Sequence, residues 1–420
     1  MALERVELFK YKEFLSFLVL ALFVLSYSLL IEYQNYKKLT RFDSAVVEVT
    51  VLKQYEKTKN SRTYQVLKLK TDDSLVFYTG AKKNFQHVLN KRLTLKIYPK
   101  KVSFYDYLTT FYAYSKVQII HKEETLKQKL NSAVASQHKN HQIANIYQAL
   151  FSATPLEYSL VKSFSNLGVS HLLAISGFHL GVLSAILFFL VKPIYAFAQD
   201  RYFPYRNSKA DIFIFVAFVL LIYLNFLDSP ASLLRAFVML VIGFVLYDRG
   251  IKIISMQTLL LTIILILVLF PRLFFSLGFW LSASGVFYIF LFLIHFKHLH
   301  KVWQFLLVPI FVYITMLPLS LVIFSNFSIY HPLSIVWTSL FTIFYPLSIF
   351  LHLVGFGDLF DIALGSLISL GEHGQNVEVG YVWLIIYALI SLIGIYSKRF
   401  VWLTLFVSFS FLIYAIYQIT

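Results

Sequence analysis

The feature that most constrains the fold of this chain is a series of apolar runs of roughly membrane-spanning length. About 20 consecutive apolar residues cross the hydrocarbon core of a bilayer as a helix. The sequence contains ten such candidates, at residues 14–31, 172–191, 211–227, 232–247, 253–270, 277–296, 303–324, 331–354, 381–396 and 400–418. These runs predict an α-helical polytopic membrane protein with about ten spans.

The composition of the 420 residues agrees with this prediction. Hydrophobic residues make up 58% of the chain, charged residues only 14%, and the mean hydropathy is +0.70. A soluble domain has fewer apolar and more charged residues. The absence of cysteine excludes disulfides and cysteine-based metal centres. No G-x-x-x-x-G-K-[ST] loop is present, which excludes nucleotide hydrolysis by that route. We expect no cofactor and no bound metal.

Residues 42–101 have a different pattern. Residues 45–53 (AVVEVTVLK) and 64–70 (YQVLKLK) alternate apolar and polar side chains, as half-buried strands do. Residues 75–79 and 93–98 are further strands, and a short helix fits residues 81–90. We predict a small all-β domain over residues 42–101.

This predicted β-domain is basic. Residues 41–101 hold 14 Lys/Arg and 5 Asp/Glu, a net charge of +9, within a chain whose net charge is +16. A basic soluble region favours a polyanion or anionic lipid headgroups as partner, although solvated strand faces have the same composition. Tyr55, Phe77 and Tyr78 offer stacking surfaces or core packing. The candidate nucleic-acid contacts are Lys53, Lys57, Lys59, Arg62, Tyr64 and Lys68.

The rest of the chain flanks this domain on both sides. Residues 1–41 read as an N-terminal cytoplasmic tail and a membrane anchor helix. Residues 102–167 are predicted as amphipathic or interfacial helices, with 102–121 lying on the membrane surface. His138 and His141 in this region are a possible metal pair, but such pairs are more often solvated surface. Residues 168–420 form the predicted polytopic domain.

Polar residues interrupt the apolar run at 168–192 (GVSHLLAISGFHLGVLSAILFFLVK). If the run is one helix, His171 and His179 lie two turns apart on the same side, and Ser176 touches His179. Gly177 and Gly181 would let another helix or a substrate approach closely. Ionisable side chains in a span usually face the protein interior or a water-filled path. Structural hydrogen bonds between helices are the alternative interpretation.

Two later stretches also place polar groups at or inside apolar runs. In DSPASLLRAFVML (228–240), Ser229 and Pro230 predict a helix start, and Arg235 follows within two turns. Its guanidinium could hold phosphate oxygens, or it could pair with Asp228 or reach the membrane surface. In SLGFWLSASGVFYIF (276–290), Ser282 gives small, hydroxylic surface inside a span.

These motifs resemble the ComEC family, the polytopic channel that carries transforming DNA across the bacterial inner membrane. HLLAISGFHLG (171–181) is similar to the family signature. Ser232 followed by Arg235-Ala236 resembles a second signature, and residues 276–290 and 319–346 resemble two further regions in the same order. The resemblance implies an OB-like β-domain after the first span. It also implies that the DNA path is lined by His171, Ser176, His179, Ser232, Arg235 and Ser282.

The expected function is therefore translocation of single-stranded DNA into the cytoplasm during natural transformation. Many members of the family carry a nuclease-like domain marked H-x-H-x-D-H. The only H-x-H here is His298-Leu299-His300, which no Asp-His follows, so we expect a channel and no enzyme. A channel needs partners, namely a periplasmic DNA receptor and a cytoplasmic motor or strand-binding protein, and it could be a homo-oligomer.

Two rival functions remain open from the residues. Ser176 and His179 are spaced as a nucleophile and base would be, which suggests an intramembrane hydrolase. A small-solute transporter is the other possibility, although inverted repeats are not visible in the sequence.

Charges in the short loops predict the orientation in the bacterial inner membrane. With the N-terminus cytoplasmic, the cytoplasmic loops are basic, and the β-domain is periplasmic. The pattern fails beyond residue 330, where the acidic stretch 356–379 would lie inside. A re-entrant or interfacial segment near Pro346 or in 356–371 would resolve this. The basic side chains assigned to the cytoplasmic loops are Lys192, Arg201, Arg206, Lys209, Arg249, Lys252, Lys297 and Lys301.

Overall fold

A computed structural model describes residues 11–59, 62–72, 75–121, 125–202, 204–251 and 253–419. The first ten residues, which we predicted as a cytoplasmic tail, lie outside this range. The chain divides into two compact units. A β-rich unit is formed by Leu15–Ala135 and Leu265–Ser276, and a helical unit is formed mainly by Ser136–Ile264 and Leu277–Thr420.

The β-rich unit is a curved sheet preceded by a long helix. Its elements are α1 (Tyr11–Thr40), β1 (Ala45–Lys59), β2 (Arg62–Thr71), β3 (Val76–Ala81), β4 (Arg92–Tyr98), α2 (Phe104–Leu108), β5 (Phe111–Tyr112), β6 (Tyr114–Ile120) and α3 (Leu126–Ala135). The sheet order is β5-β3-β2-β1-β4-β6. β5 and β6 stand at the two ends of this order, yet they are consecutive in the chain. The segment 111–120 therefore closes the sheet into a barrel.

Alternation of apolar side chains builds the barrel core. Val49 and Val51 on β1 and Leu67 and Leu69 on β2 are buried, and the residues between them point outward. Thr79 of β3 and Ser115 of β6 bond through their hydroxyls at 2.8 Å, across the closure. The four strands predicted from sequence are present, and the sheet continues beyond residue 101.

Three local predictions for this unit are wrong. The segment 102–121, expected on the membrane surface, forms α2, β5 and β6 instead, because alternate residues such as Phe111 and Ala113 fill the barrel core. Residues 81–90 form turns and no helix. Residues 54–62, which lie outside the strands predicted from the sequence, mostly continue β1 and β2 as a long hairpin.

The anchor helix is longer than predicted and reaches the barrel. α1 has 30 residues, about 45 Å, which exceeds the bilayer core. Its C-terminal part packs against the barrel core through Leu29, Tyr36 and Leu39. Farther along the chain, Arg272 donates two hydrogen bonds to the Glu32 carboxylate of α1, at 3.1 and 2.6 Å. The anchor and barrel thus form one packed unit.

The helical unit contains the remaining elements. They are α4 (His141–Ser152), α5 (Tyr158–Asn166), α6 (Ser170–Leu173), α7 (Gly177–Tyr202), α8 (Ser208–Phe226), α9 (Ala231–Asp248), α10 (Met256–Leu269, which continues into the other unit), α11 (Leu277–His295), α12 (Lys301–Phe324), β7 (Asn326–Phe327), α13 (Ser334–Val354), α14 (Asp361–Gly371), β8 (Gln375–Asn376), α15 (Tyr381–Ile393) and α16 (Lys398–Ile419). One apolar core joins α7, α8 and α9, and another joins α11, α12, α15 and α16.

In the described part of the chain, seven helices are long and apolar enough to cross a membrane: α1, α7, α8, α11, α12, α13 and α16. Phe189, Ile343 and Phe406 expose large apolar side chains on them, as a lipid-facing surface requires. The other three predicted spans correspond to α9, with 18 residues, and to the shorter α10 and α15. The protein is thus a polytopic membrane protein with a β-sheet domain.

The segment 346–371 contains a helix break after α13. Pro346 lies inside α13, which continues to Val354 and ends at Gly355. α14 has 11 residues, about 16 Å, too short to cross the bilayer core. Its Gly371 packs against the backbone of Ser163 on α5. Whether the non-crossing segment lies near Pro346 or in 356–371 stays a prediction.

Candidate functional site

The signature stretch is broken where we predicted one continuous helix. α6 ends at Leu173, Ala174 is extended (φ −75°, ψ 123°), and α7 begins only at Gly177. His171 and His179 therefore lie on opposite sides of a helix break, and their predicted alignment on one helix face is wrong. The reason is local: the side chains of Ser176 and His179 satisfy each other and the backbone at the start of α7.

His179 takes part in capping α7. Its Nδ1 accepts the backbone N–H of Ser176 at 3.2 Å and lies 3.1 Å from the Ser176 hydroxyl. In a capping box, a side chain at the third helical position accepts the same N–H. Because Nδ1 accepts, the neutral ring carries its hydrogen on Nε2. The predicted contact between Ser176 and His179 is present.

α9 begins against this break. Ser232 donates a hydrogen bond of 2.6 Å to the carbonyl of Ile175, which the extended backbone leaves free. A Cβ at Gly177 would lie 3.1 Å from the Cβ of Ala236, so this glycine permits close packing of α7 on α9. Gly181 has open space beside it instead.

The predicted cap of α9 at Ser229 is wrong. The capping position is Pro230, without a side-chain hydrogen bond. Asp228 and Ser229 both adopt positive φ, 61° and 50°, a conformation that costs free energy for residues other than glycine. A tight turn thus places Ser232 against the break.

Arg235 lies one turn from Ser232 on α9 and is only 3% exposed. Its Nη1 donates to the carbonyls of Gly278 and Phe279 at the start of α11, at 3.1 and 3.0 Å. Among the described residues, no carboxylate lies within ion-pair distance of this guanidinium. The sequence offered two alternatives to phosphate binding, namely pairing with Asp228 and reaching the membrane surface. Neither describes Arg235 in the structure.

A second histidine, His331, faces the chain just before the break. A Cβ at Gly168, where φ is +71°, would lie 2.6 Å from Cε1 of His331. His331 is buried, its Nδ1 lies 3.0 Å from the Tyr313 hydroxyl, and its ring stacks on Phe327. His331 is not among the site residues predicted from the sequence. The positive φ of Gly168, which makes room for it, is not visible in the sequence.

His171 lies near His331 and is reachable by solvent. Protein nevertheless surrounds most of its ring, and this enclosure lowers the pKa of His171, while the nearby Gly168 carbonyl acts in the opposite direction. Such a combination describes a side chain in a recess. His171 is therefore neutral near pH 7.

Several buried polar atoms have no hydrogen-bond partner among the described residues. Leaving one buried polar atom unpaired costs about 1–3 kcal/mol, unless water or a ligand meets it. Within the described ranges these atoms are Tyr147 Oη, Asn166 Oδ1, Ser170 Oγ, His179 Nε2 and His331 Nε2. They lie on α4 to α7 and just before α13.

The remaining predicted site residue of this unit is Ser282. It is half-buried on α11, one turn beyond Phe279. Gly285, on the same helix, faces open space. The structure thus brings Ser176, His179 and Ser232 together by hydrogen bonds, with Arg235 and Ser282 on the neighbouring helices.

Two of the predicted basic contacts lie in a row with two tyrosines across the outer face of the barrel. Lys53 stands opposite Lys68, Lys68 opposite Tyr78, and Tyr78 opposite Tyr112. Cross-strand partners share a face, so these side chains lie side by side. The Lys68 ammonium is 5.7 Å from the centre of the Tyr78 ring. Tyr112 was missed because residues 102–121 were not predicted as strands.

Electrostatics in this row are unfavourable without an anion. Burial and then the charge of Lys68 lower the pKa of Lys53, and burial lowers the pKa of Lys68. Lys57 stands opposite Tyr64 farther along the hairpin, and Arg62 is exposed at its end. The Lys59 side chain lies outside the described part. Phe77, a possible stacking residue, belongs to the core.

The suggested metal pair His138 and His141 does not converge. His141 is exposed and lies 3.0 Å from the Glu157 carboxylate, whereas the His138 side chain is fully buried. Over the ranges described, no group of three His, Asp or Glu side chains could hold a metal ion.

Most of the chain matches a known protein family. A family model described as Competence protein matches residues 155–420, which include the break and every predicted site residue of the helical unit. No curated protein matches the chain. No solved structure matches it.

Proposed function

The chain belongs to the ComEC family of competence proteins, and on this premise we propose that it is the inner-membrane channel that passes single-stranded DNA into the cytoplasm. The family implies a role in DNA uptake during transformation. The apolar helices are those of a polytopic membrane protein. The channel, its inner-membrane location and its substrate strand are our proposal.

The observation that carries the proposal is the buried Arg235. A buried guanidinium that has no carboxylate partner is costly in a membrane domain unless an anion compensates its charge. Arginine binds phosphate oxygens two at a time, and two of its donors already fix it to α11 through backbone carbonyls. A transient phosphate is the missing counter-charge that fits a DNA channel.

Further support comes from the polar atoms around the break. An unwound segment between helices within a membrane domain is stable where it lines a cavity or is buried in protein. The α7 start offers free backbone N–H groups, which favour anions. With Ser176, Ser232 and Ser282 as hydroxyl donors and His171 in a recess, this break suits a wetted path for a polyanion.

We propose that the barrel is OB-like and captures the strand before it enters. If β5 and β6 are counted as one strand, the order around the barrel is β1, β2, β3, β5–β6, β4 and back to β1. This order fits a five-stranded barrel. The lysines attract phosphates, and the neighbouring tyrosines, half-buried Tyr78 and exposed Tyr112, can stack bases. The like charges of the opposed pair Lys53 and Lys68 repel each other until an anion lies between them.

Capture can be tested with one lysine of this pair. We expect Lys53→Thr to raise the melting temperature slightly, because repulsion is relieved, and to weaken single-stranded DNA binding by the full-length protein in detergent. Lys100→Thr is the matched control, since Lys100 is paired with Asp43 outside the row. Equal loss of binding in both variants, or none in Lys53→Thr, would argue against the row as the capture surface.

The intramembrane hydrolase is the second candidate, because Ser176 Oγ lies 3.1 Å from His179 Nδ1. We favour the channel. The same Nδ1 already accepts a backbone N–H, and no described residue orients Nε2. Ser176→Ala separates the two functions: a nucleophile's loss abolishes activity, whereas loss of one path hydroxyl leaves part of it.

The proposal is tested by following labelled DNA in cells that lack this protein. We expect DNA to enter the periplasm, with help from a separate receptor, and to stop there. Plasmid-borne wild-type protein should restore the cytoplasmic pool. Wild-type amounts of cytoplasmic label in the deletion strain would contradict a channel role.

A further inference from the structure

Two turns of the helical unit lie side by side at one end of the bundle formed by α11, α12, α15 and α16. One turn, residues 296–300, joins α11 to α12, and the other, residues 394–397, joins α15 to α16. His295 Nε2 donates a hydrogen bond of 2.8 Å to the carbonyl of Gly394, which ties the second turn to the end of α11. Segments 99 residues apart in the chain thus form one surface.

Four cations and no carboxylate lie in these turns and in the first helical turns after them. The stretches HFKHLHKVWQ (295–304) and GIYSKRFVWL (394–403) contain no Asp or Glu. We call their four basic residues the basic rim, namely Lys297, Lys301, Lys398 and Arg399, all of which are exposed. Among the described residues, none of the four forms an ion pair. The rim therefore attracts anions from outside the protein.

Contacts with the first turn bring the starts of both following helices to this surface. The Gln304 side chain of α12 donates to three carbonyls of this turn, at distances between 3.0 and 3.4 Å. The Lys398 ammonium of α16 lies 5.0 Å from the centre of the Phe296 ring, and Trp402 meets the same ring edge-on at 5.8 Å. α12 and α16 therefore both begin at the turn that carries Lys297.

Three cations of the rim lie at the helix end that disfavours positive charge. α12 begins at Lys301, α16 begins at Lys398, and Arg399 follows directly. Neither helix has an acidic residue in its first turn. A helix N-terminus carries partial positive charge, so cations there are repelled. An anion at the rim relieves this repulsion and that among the cations themselves.

Aromatic side chains indicate that the rim lies at the level of lipid headgroups. Trp303 and Trp402, near the starts of α12 and α16, are 58% and 56% exposed. Tryptophan is enriched where the hydrocarbon core of a bilayer meets water. Phe305 and Phe406, farther along the same helices, are also exposed, as a lipid-facing surface requires. The anions nearest to the rim in a membrane are therefore lipid phosphates.

The rim is separate from the proposed DNA path. Arg235 contacts backbone carbonyls at the start of α11, whereas the rim lies beyond the end of this helix at His295. α11 has 19 residues, about 28 Å, which is close to the thickness of a bilayer core. A ligand of the rim thus lies at the opposite end of α11 from Arg235.

We propose that the basic rim binds the headgroup of an anionic phospholipid. The lipid phosphate lies among the four cations, and the acyl chains extend along Trp303 and Trp402 towards the bilayer core. The bound lipid links the two turns and supplies the anion that the starts of α12 and α16 lack. A zwitterionic lipid binds less well, because its own cation is repelled by the rim. Single-stranded DNA is another polyanion, but the exposed tryptophans favour a lipid.

The effect of lipid on thermal stability tests this proposal. Full-length protein in detergent should melt a few degrees higher with added phosphatidylglycerol than with an equal amount of phosphatidylcholine, because a ligand that binds the folded state stabilises it. At about 1 M salt, where the screening length is about 3 Å, this difference should shrink. No difference between the two lipids, or a difference that salt leaves unchanged, overturns the proposal.

A variant without the four cations assigns the difference to the rim. The gain from phosphatidylglycerol should disappear when the protein carries Lys297→Gln, Lys301→Gln, Lys398→Gln and Arg399→Gln together. A control with the same net charge should keep the wild-type gain. It changes four exposed lysines of the barrel, and its substitutions are Lys82→Gln, Lys83→Gln, Lys101→Gln and Lys116→Gln. Retention of the gain in the rim variant, or equal loss in both variants, overturns the proposal.

A measurement on wild-type protein covers the case in which the rim variant fails to fold. Phosphatidylglycerol with a photoreactive group near its headgroup should, after illumination, label peptides from residues 295–304 or 394–403. Labelling confined to other peptides overturns the proposal.

Single-stranded DNA is tested as the alternative ligand with an oligonucleotide in phosphatidylcholine. Any change in melting temperature that it causes should be the same in wild-type protein and in the rim variant. A change that the rim variant loses would show that the rim binds DNA, and it would overturn the assignment to lipid.

Discussion

Replacing a buried arginine has different effects on stability depending on whether the guanidinium has a carboxylate partner. Arg272 is paired with Glu32, so Arg272→Met should strand a half-buried carboxylate and lower the membrane abundance of the protein, at a cost of about 1–3 kcal/mol. Arg235 has no such partner among the described residues, so Arg235→Met replaces an uncompensated charge by an apolar chain of similar size. We expect normal abundance and a strongly reduced cytoplasmic DNA pool.

Immunoblots of membrane fractions, run with the uptake assay on the same cells, measure both quantities. Arg235→Lys should keep part of the activity, because a point charge still attracts phosphate while the bidentate geometry is lost. If Arg235→Met disappears from the membrane as Arg272→Met does, Arg235 is a structural residue.

Individual site residues could be selected from the sequence, but their partners could not. Residue type alone marked Arg235 and His179 as costly in a span. The capping role of His179 depends on the extended backbone at Ala174, and the place of His331 depends on the positive φ of Gly168. Backbone conformations of this kind arise from tertiary packing, which side-chain periodicity does not report.

At the scale of elements, barrel closure predicts which fragment folds. Residues 42–121 include β5 and β6, whose Phe111 and Ala113 are buried in the core. Residues 42–101 lack them and leave β3 and β4 with unpaired edges. We expect the longer fragment to give dispersed NMR signals and a cooperative melt, and the shorter one to aggregate or remain unfolded. A cooperative fold for 42–101 would show that closure is dispensable.

Sequence patterns predicted regular elements well and irregular ones poorly. Strands β1 to β4 follow clean alternation, and the long apolar helices follow from length and hydropathy. The strands in residues 111–120 were not predicted, because the tyrosines in FYAYSKV are as typical of a membrane-interface segment as of a strand. The helix break at 174–176 was not predicted, because apolar residues flank it on both sides and the hydropathy stays high across it.

At the scale of the whole molecule, orientation decides the direction of DNA entry. The chain has no cysteine, so a single introduced cysteine reports sidedness without background. Lys57 and Lys209 are both exposed. We expect Lys57→Cys to react with an impermeant thiol reagent from outside the cytoplasm, and Lys209→Cys to react only after the membrane is permeabilised. The reverse pattern would invert the proposed orientation.

The central claim is that transforming DNA passes the break before α7, and cross-linking tests it most directly. His171→Cys carries a photo-reactive group into the recess, and Phe189→Cys carries the same group to an exposed, lipid-facing position on α7. During uptake of labelled DNA, illumination should join single-stranded DNA to the protein at position 171 and not at 189. No cross-link at 171 in cells that still transform, or equal cross-linking at both positions, would contradict the account.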